Sequence, residues 1–295
     1  IINRYWSKMN KIYSTLVVFA FIISSSFSQQ VELNIEPQTI SAGAEYSIYL
    51  QNLINSGLDA GLKFNGFIPP NTYQYGIEAI TTIEGINFDE DASNSGFYHI
   101  PPDPHGAAGP THLVSVTNTS IEWFTKAGVT DSSKRLGKNS TTHIGGFFQS
   151  LIPLTGTFDP KVIYDQYNGR FVIVSLEQTT SPNTSRILIA VSKTSNPNDG
   201  WWFTSINSAV TITNLCWADY PGLAVTDDAI LITNNMFSFS AGTFEGSRLW
   251  IIQKTPLYSG GVASVVRYDP STLAGLGSQN FTMQPAHMFG TLPVG

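Results

Sequence analysis

Three aspartates stand at the openings of similar stretches, two beside prolines and one a residue away: Asp103 in Pro102-Asp103-Pro104, Asp159 before Pro160, and Asp219 in Asp219-Tyr220-Pro221. Carboxylates brought together in a half-desolvated mouth repel one another, so such a site either raises a pKa or recruits a cation. Calcium is the cation that carboxylate oxygens take, with Asp103, Asp159 and Asp219 as its candidate ligands; no other cofactor is implied. Two carboxyls about 5 to 9.5 Å apart are also what glycoside hydrolysis uses, one as acid and one as nucleophile or base. On that reading Asp159 and Asp219 are the candidate catalytic residues. Glu177, which ends the apolar run 171–176, is the alternative second acid. His105 follows the first aspartate and His287 lies in a fourth opening, Gln284-Pro285-Ala286-His287. The ligand-binding candidates are therefore Asp103, His105, Asp159, Asp219 and His287. The plainer reading is that Asp beside Pro is turn chemistry, its side chain capping backbone amides. Recurrence favours it, because a catalytic residue is needed once and a building residue in every unit.

The elements that must position these residues follow from the turns between them. From about residue 86 onward, short β-type runs alternate with Gly, Pro, Asn and Asp clusters. The openings recur roughly every 60 residues, and turn lysines Lys126, Lys193 and Lys254 recur at a similar interval. After each turn lysine a fourth strand is expected, within 142–148, 201–206 and 262–268. Regular repetition of about four strands per unit is what a β-propeller produces, with the core formed between stacked blades. The fold class is therefore all-β, a propeller of four-stranded blades truncated to about three blades plus the start of a fourth. A β-sandwich is the alternative that also yields many short strands. Paired and single aromatics (Phe147-Phe148, Trp201-Trp202, Trp123, Trp217, Trp250) are expected mostly in the core.

Composition narrows the function. Of 295 residues, 15 are Lys or Arg and 21 Asp or Glu, a formal charge of −6, which disfavours nucleic acid as a partner. Only 12% are charged, so Ser, Thr, Asn and Gly must supply the polar surface, as in turn-rich β proteins. The one cysteine, Cys216, allows no intramolecular disulfide and is expected buried. Met9 opens a secretory-type leader: Lys11, the apolar run Leu16 to Ile23, then Ser26-Phe27-Ser28. That run is too short for a stable span, so no membrane anchor is expected after cleavage. The chain divides into 1–28 (upstream extension and signal peptide), 29–85 (an N-terminal region without the repeat) and 86–295 (the partial propeller).

The stretch Pro101-Pro102-Asp103-Pro104-His105-Gly106, the stretch Asp159 to Asp165 with Gly169-Arg170-Phe171, Ala190 to Thr194, and Trp217-Ala218-Asp219-Tyr220-Pro221 together resemble uncharacterised secreted bacterial β-propeller proteins. The resemblance implies export and fold, often with a C-terminal sorting tail, and no settled activity. Ser195 to Trp202 bears a distant likeness to the Asp-box turn of sialidase-type propellers, implying a tight turn with a Trp packed between blades. Residue reading and resemblance lead to one expectation: a secreted or cell-surface module that binds polysaccharide or a surface protein without catalysis. The alternative is a glycoside hydrolase acting through the mouth carboxylates.

Overall fold

Strands form where apolar or alternating runs lie between turn residues. In the computed structural model, which describes residues 83–272 and 280–290, they assemble into three antiparallel sheets. The first holds β1 (His105–Ala108), β2 (His112–Val116), β3 (Ser120–Thr125) and β4 (Thr130–Arg135) in chain order. The second holds β5 (Phe158–Asp165), β6 (Arg170–Thr180), β7 (Asn183–Ser192) and β8 (Trp201–Asn207), again in order. In the third, β10 (Leu215–Val225), β11 (Ala229–Ser238), β12 (Phe244–Gln253) and β13 (Val265–Tyr268) follow one another, and the short β9 (Val210–Thr211) pairs along the outer side of β10. Residues 1–28 and 29–82, which include the stretch expected as a leader and most of the region without the repeat, lie outside the described residues.

The fourth strand of the first sheet is Thr130–Arg135, not the expected 142–148. β4 is an edge strand with a mostly exposed, polar sequence, so it carries no apolar signal. The aromatics of 142–148 mark burial instead of pairing: Phe147 and Phe148 plug the core from a turn. Likewise Lys254-Thr255-Pro256, expected as a turn, begins helix α2 (Lys254–Tyr258). Helix α1 (Phe88–Ser95) is opened by a reciprocal cap between Asn87 and Glu90 and packs on β3 and β4. Its buried Asp91 accepts hydroxyl bonds from Thr117 and Thr119.

The core lies between the sheets. Phe171 and Ile173 of β6 join Val114, Ile121, Trp123, Phe148 and Trp201 in one cluster, while Val172, Val174 and Leu176 join Met236, Trp250 and Ile252 in the other. Alternation along β6 thus feeds both faces of the second sheet, which explains its continuous apolar sequence. The predicted core aromatics are where packing demands them: Trp123, Phe147, Phe148, Trp201 and Trp250 are buried. Trp123 meets Trp201 at 6.0 Å between ring centroids, across the first two sheets.

The three first strands stand side by side, with β5 between β1 and β10. Side chains bond from sheet to sheet: along this seam the Val162 N–H donates to His105 Nδ1 (3.3 Å), and from β10 the Ala218 N–H donates to Ser185 Oγ of β7 (3.0 Å). Further out, α2 ties the third sheet to the second through a buried ion pair between Lys254 and Asp165 (2.8 Å).

Candidate functional site at the openings of the first strands

Side-by-side first strands bring the residues leading into them together. Asp103 and Asp159 adopt left-handed backbone (φ 47° and 50°), and so does Tyr220 (φ 48°), each directly before a proline. A side chain at positive φ costs about 1–3 kcal/mol and persists only where its surroundings over-determine it. Here the fixing group is Asn118, a buried residue that sequence reasoning passed over. Its Nδ2 donates to Asp103 Oδ2 (2.9 Å) and to the Pro101 carbonyl (2.8 Å), and its Oδ1 accepts the Asp159 N–H (2.7 Å). The next link repeats the pattern with a different acceptor: the Tyr220 N–H donates to Asp159 Oδ2 (3.0 Å). The third repeats it with asparagine again, the Thr282 N–H donating to Asn235 Oδ1 (2.7 Å) while Thr282 also has positive φ (57°).

These latches correct the register of the repeat. Asp103, Asp159, Tyr220 and Thr282 occupy equivalent positions, and Asp219 stands one residue earlier, where the other units carry Pro102, Phe158 and Phe281. The residue after each of the first three is proline, so the Asp-Pro and Tyr-Pro pairs mark the same structural step. The expected turn-capping role of the aspartates is seen at Asp159, which accepts the Tyr220 amide. Asp219 is additional.

The Asp159 and Asp219 carboxyls interact with each other, and both are half-buried. Burial, then the charge and hydrogen bond of Asp159, push the Asp219 carboxyl up to about 6. Asp159 is also raised, by burial first and then by Asp103, against the pull of the Tyr220 amide and Lys161. Below about pH 6 the pair therefore holds a proton between two carboxyls. Among the described residues no group of three or more His, Cys, Asp or Glu side chains has the arrangement of a metal site.

A carboxyl whose pKa rises on folding stabilises the fold while protonated and loses that contribution as pH climbs through its folded value. Stability carried by the pair should be full below about pH 4 and gone above about pH 6.5. The His99, His105 and His287 imidazoles, held below their ordinary range chiefly by burial, act in the opposite sense as they deprotonate. The expected result is thus a difference: between pH 5 and 6.5 the melting temperature of Asp219→Asn rises relative to wild type, by thermal denaturation at matched ionic strength. Parallel curves for the two proteins would refute the shared proton.

Other sequence candidates lie elsewhere. His105 sits on β1 beside the seam, its ring lowered in pKa by burial and by Lys161. His287 does not join the aspartates: its Nδ1 accepts the Val225 N–H (3.1 Å) at the far end of β10, with Asp165 and Lys254 as its charged neighbours. The opening residue of this segment is Thr282, and the five residues after it carry the chain along to the end of β10, where His287 lies. Glu177 is fully buried and engaged by Arg186 (2.8 Å) and the Leu154 N–H (2.9 Å), clamping the 151–154 loop to the second sheet. Its partners are those and not the aspartates. Cys216 is buried, its thiol pushed up to about 12 by burial and Glu245, which leaves it unreactive. The 195–202 turn is structural: Asn196 Oδ1 accepts the Asn198 N–H (3.0 Å), Gly200 takes φ 95°, and Trp201 packs into the core.

Fold and site define an all-β chain of repeated antiparallel sheets with an acidic junction at the openings of its first strands. No protein-family model matches the chain, and no curated protein matches it. Among solved structures it is similar to an α-L-arabinanase of Penicillium chrysogenum complexed with arabinobiose, at 12% identity and a TM-score of 0.35. The match covers 59% of this chain and spans about half of the arabinanase, 52%. A likeness at that level says nothing about activity. No helix among the described residues is long and apolar enough to cross a membrane.

Proposed function

We propose that the chain is part of an exported β-propeller that binds glycan at the junction of its first strands, without catalysis. The three sheets are then blades, and residues 280–290 are the first strand of a fourth, latched to Asn235 as β5 is latched to Asn118. Work outside the cell or on its surface is supported by the leader-like residues 9–28. The observation that carries the binding reading is the contact between the Asp159 and Asp219 carboxyls, beside Asp103. They are well placed to accept hydroxyl hydrogen bonds, and the shared proton takes the place of a calcium ion.

A hydrolase is the second reading, favoured by the raised Asp219 carboxyl, which has the protonation of a general acid near pH 6. One experiment separates the two. The full chain is titrated against a panel of plant and microbial polysaccharides, with and without calcium, and assayed for released reducing ends. The expected result is calcium-independent binding that weakens at least tenfold in Asp159→Asn/Asp219→Asn, with no sugar released. Sugar released by wild type and lost in Asp159→Asn establishes the hydrolase instead, and calcium-dependent binding restores the cation.

A further inference from the structure

The third unit breaks the repeat where the first two obey it. Positions that carry aspartate in the first two units carry Tyr220 in the third, and the acid has moved one residue back to Asp219. A residue that only builds a turn is needed in every unit, so a departure needs another reason. Tyr220 is costly where it stands: a bulky residue at φ 48°, before Pro221, with its ring 48% exposed. Burial therefore does not repay the strain.

The groups around that ring share one chemistry. The Lys161 ammonium lies over it, 5.8 Å from the centroid, within the range of a cation–π contact, and the same ammonium favours the charged form of Asp159. Asp159 and Asp219 offer acceptors only once ionised. Beside them Asn234, 2% exposed, donates its Nδ2 to the Asp219 carbonyl (3.2 Å) and leaves its Oδ1 without a partner. An exposed aromatic face beside carboxylates selects a group that has donors, positive charge and no acceptor, which is an ammonium. Lys161 supplies one from within the chain. Half-buried Trp217, two residues before Asp219 on β10, adds an apolar surface of the kind on which a sugar ring stacks.

We infer that the junction is selective for cationic amino sugars over neutral ones, with Tyr220 and Asp219 as the specificity-determining residues. This rests on the glycan-binding reading above and names its ligand class. The ligand ammonium displaces Lys161 from the Tyr220 face and meets the Asp159 and Asp219 carboxylates, while its ring carbons lie toward Trp217.

The test uses isothermal titration of the full chain with two probes, the hexasaccharide of β-1,4-linked glucosamine and its fully N-acetylated counterpart, which has no ammonium. The glucosamine oligomer should bind at least tenfold more tightly. Tyr220→Ala and Asp219→Asn should each remove most of that preference, and Tyr220→Phe should keep it. Tyr220→Gly, whose backbone suits positive φ, should melt no lower than wild type yet lose the preference, which separates recognition from folding. Equal binding of the two probes, or a preference untouched by Tyr220→Gly, overturns the amino-sugar inference and leaves glycan binding standing. Binding of an oligolysine peptide in place of either sugar overturns both.

Discussion

Replacing Lys254 with methionine should lower the unfolding free energy by about 3–5 kcal/mol, the loss usual when one partner of a buried ion pair is removed. Lys254 and Asp165 are both essentially inaccessible, and their charged atoms meet at 2.8 Å. The remaining capacity of each is used. The Lys254 ammonium also donates to the Thr226 carbonyl (2.6 Å), and Tyr258 donates its hydroxyl to Asp165 Oδ2 (2.7 Å). The other Asp165 oxygen accepts the Tyr167 N–H (2.9 Å), which caps the β5–β6 turn. Methionine keeps most of the apolar stem but strands a carboxylate in the interface between the second and third sheets. Tyr258 stays a neutral hydroxyl donor, since burial and Asp165 hold its phenol far above the ordinary range, and its one hydrogen bond leaves the charge uncompensated. The loss should be read by urea denaturation. Asp165→Asn/Lys254→Met removes both charges and keeps the acceptor for Tyr167, so it should recover at least half of what Lys254→Met loses. A single-mutant loss below 1 kcal/mol, or no recovery in the double mutant, would show that the pair is not buried as a unit.

That pair also shows what could and could not be read from the chain. Lys254 was visible as a turn lysine at the repeat interval, but its partner Asp165 is 89 residues away, and nothing local says that they meet. Strands were legible wherever burial gave them an apolar pattern: β6 and β7, covered on both faces, are unmistakable runs. β4 was missed because pairing needs only backbone, and its Thr-Asp-Ser-Ser-Lys-Arg sequence is that of a solvated edge. The gathering of Asp103 and Asp159 followed from the repeat alone. The register did not, because the sequence marks a proline step and only the backbone dihedrals show that Tyr220, not Asp219, is its third instance. Asn118 gave no signal of its own, because what it fixes belongs to the next sheet. His287 misled for the opposite reason, since a residue can follow an opening in sequence and still lie at the other end of the strand beside it.

Asn118→Ala should cost about 2–4 kcal/mol, more than the roughly 1 kcal/mol of an ordinary hydrogen bond, because one side chain serves two strained openings. Removing it leaves the Asp159 N–H and the Pro101 carbonyl without the partners they have at 2.7 and 2.8 Å, and frees the Asp103 carboxylate held at 2.9 Å. Asp103 and Asp159 then have less to hold them at φ 47° and 50°, and relaxation of either strand opening would part the Asp159 and Asp219 carboxyls. Stability and the shared proton should therefore fall together: Asn118→Ala should unfold at lower urea and lose the pH 5 to 6.5 difference between wild type and Asp219→Asn. Asn118→Asp distinguishes geometry from charge. It keeps an acceptor for the Asp159 N–H but sets a further carboxylate against Asp103, so it should resemble wild type more closely at acid pH and approach Asn118→Ala at neutral pH. Asn235→Ala, which unlatches Thr282 from the third sheet, should lower stability without touching the pH difference, because the Asp159–Asp219 contact is fixed through Asn118 and Tyr220 and not through Asn235. Loss of the pH difference in Asn235→Ala would mean that the latches act as one cooperative ring, and the proton is held by the whole seam in place of its second link.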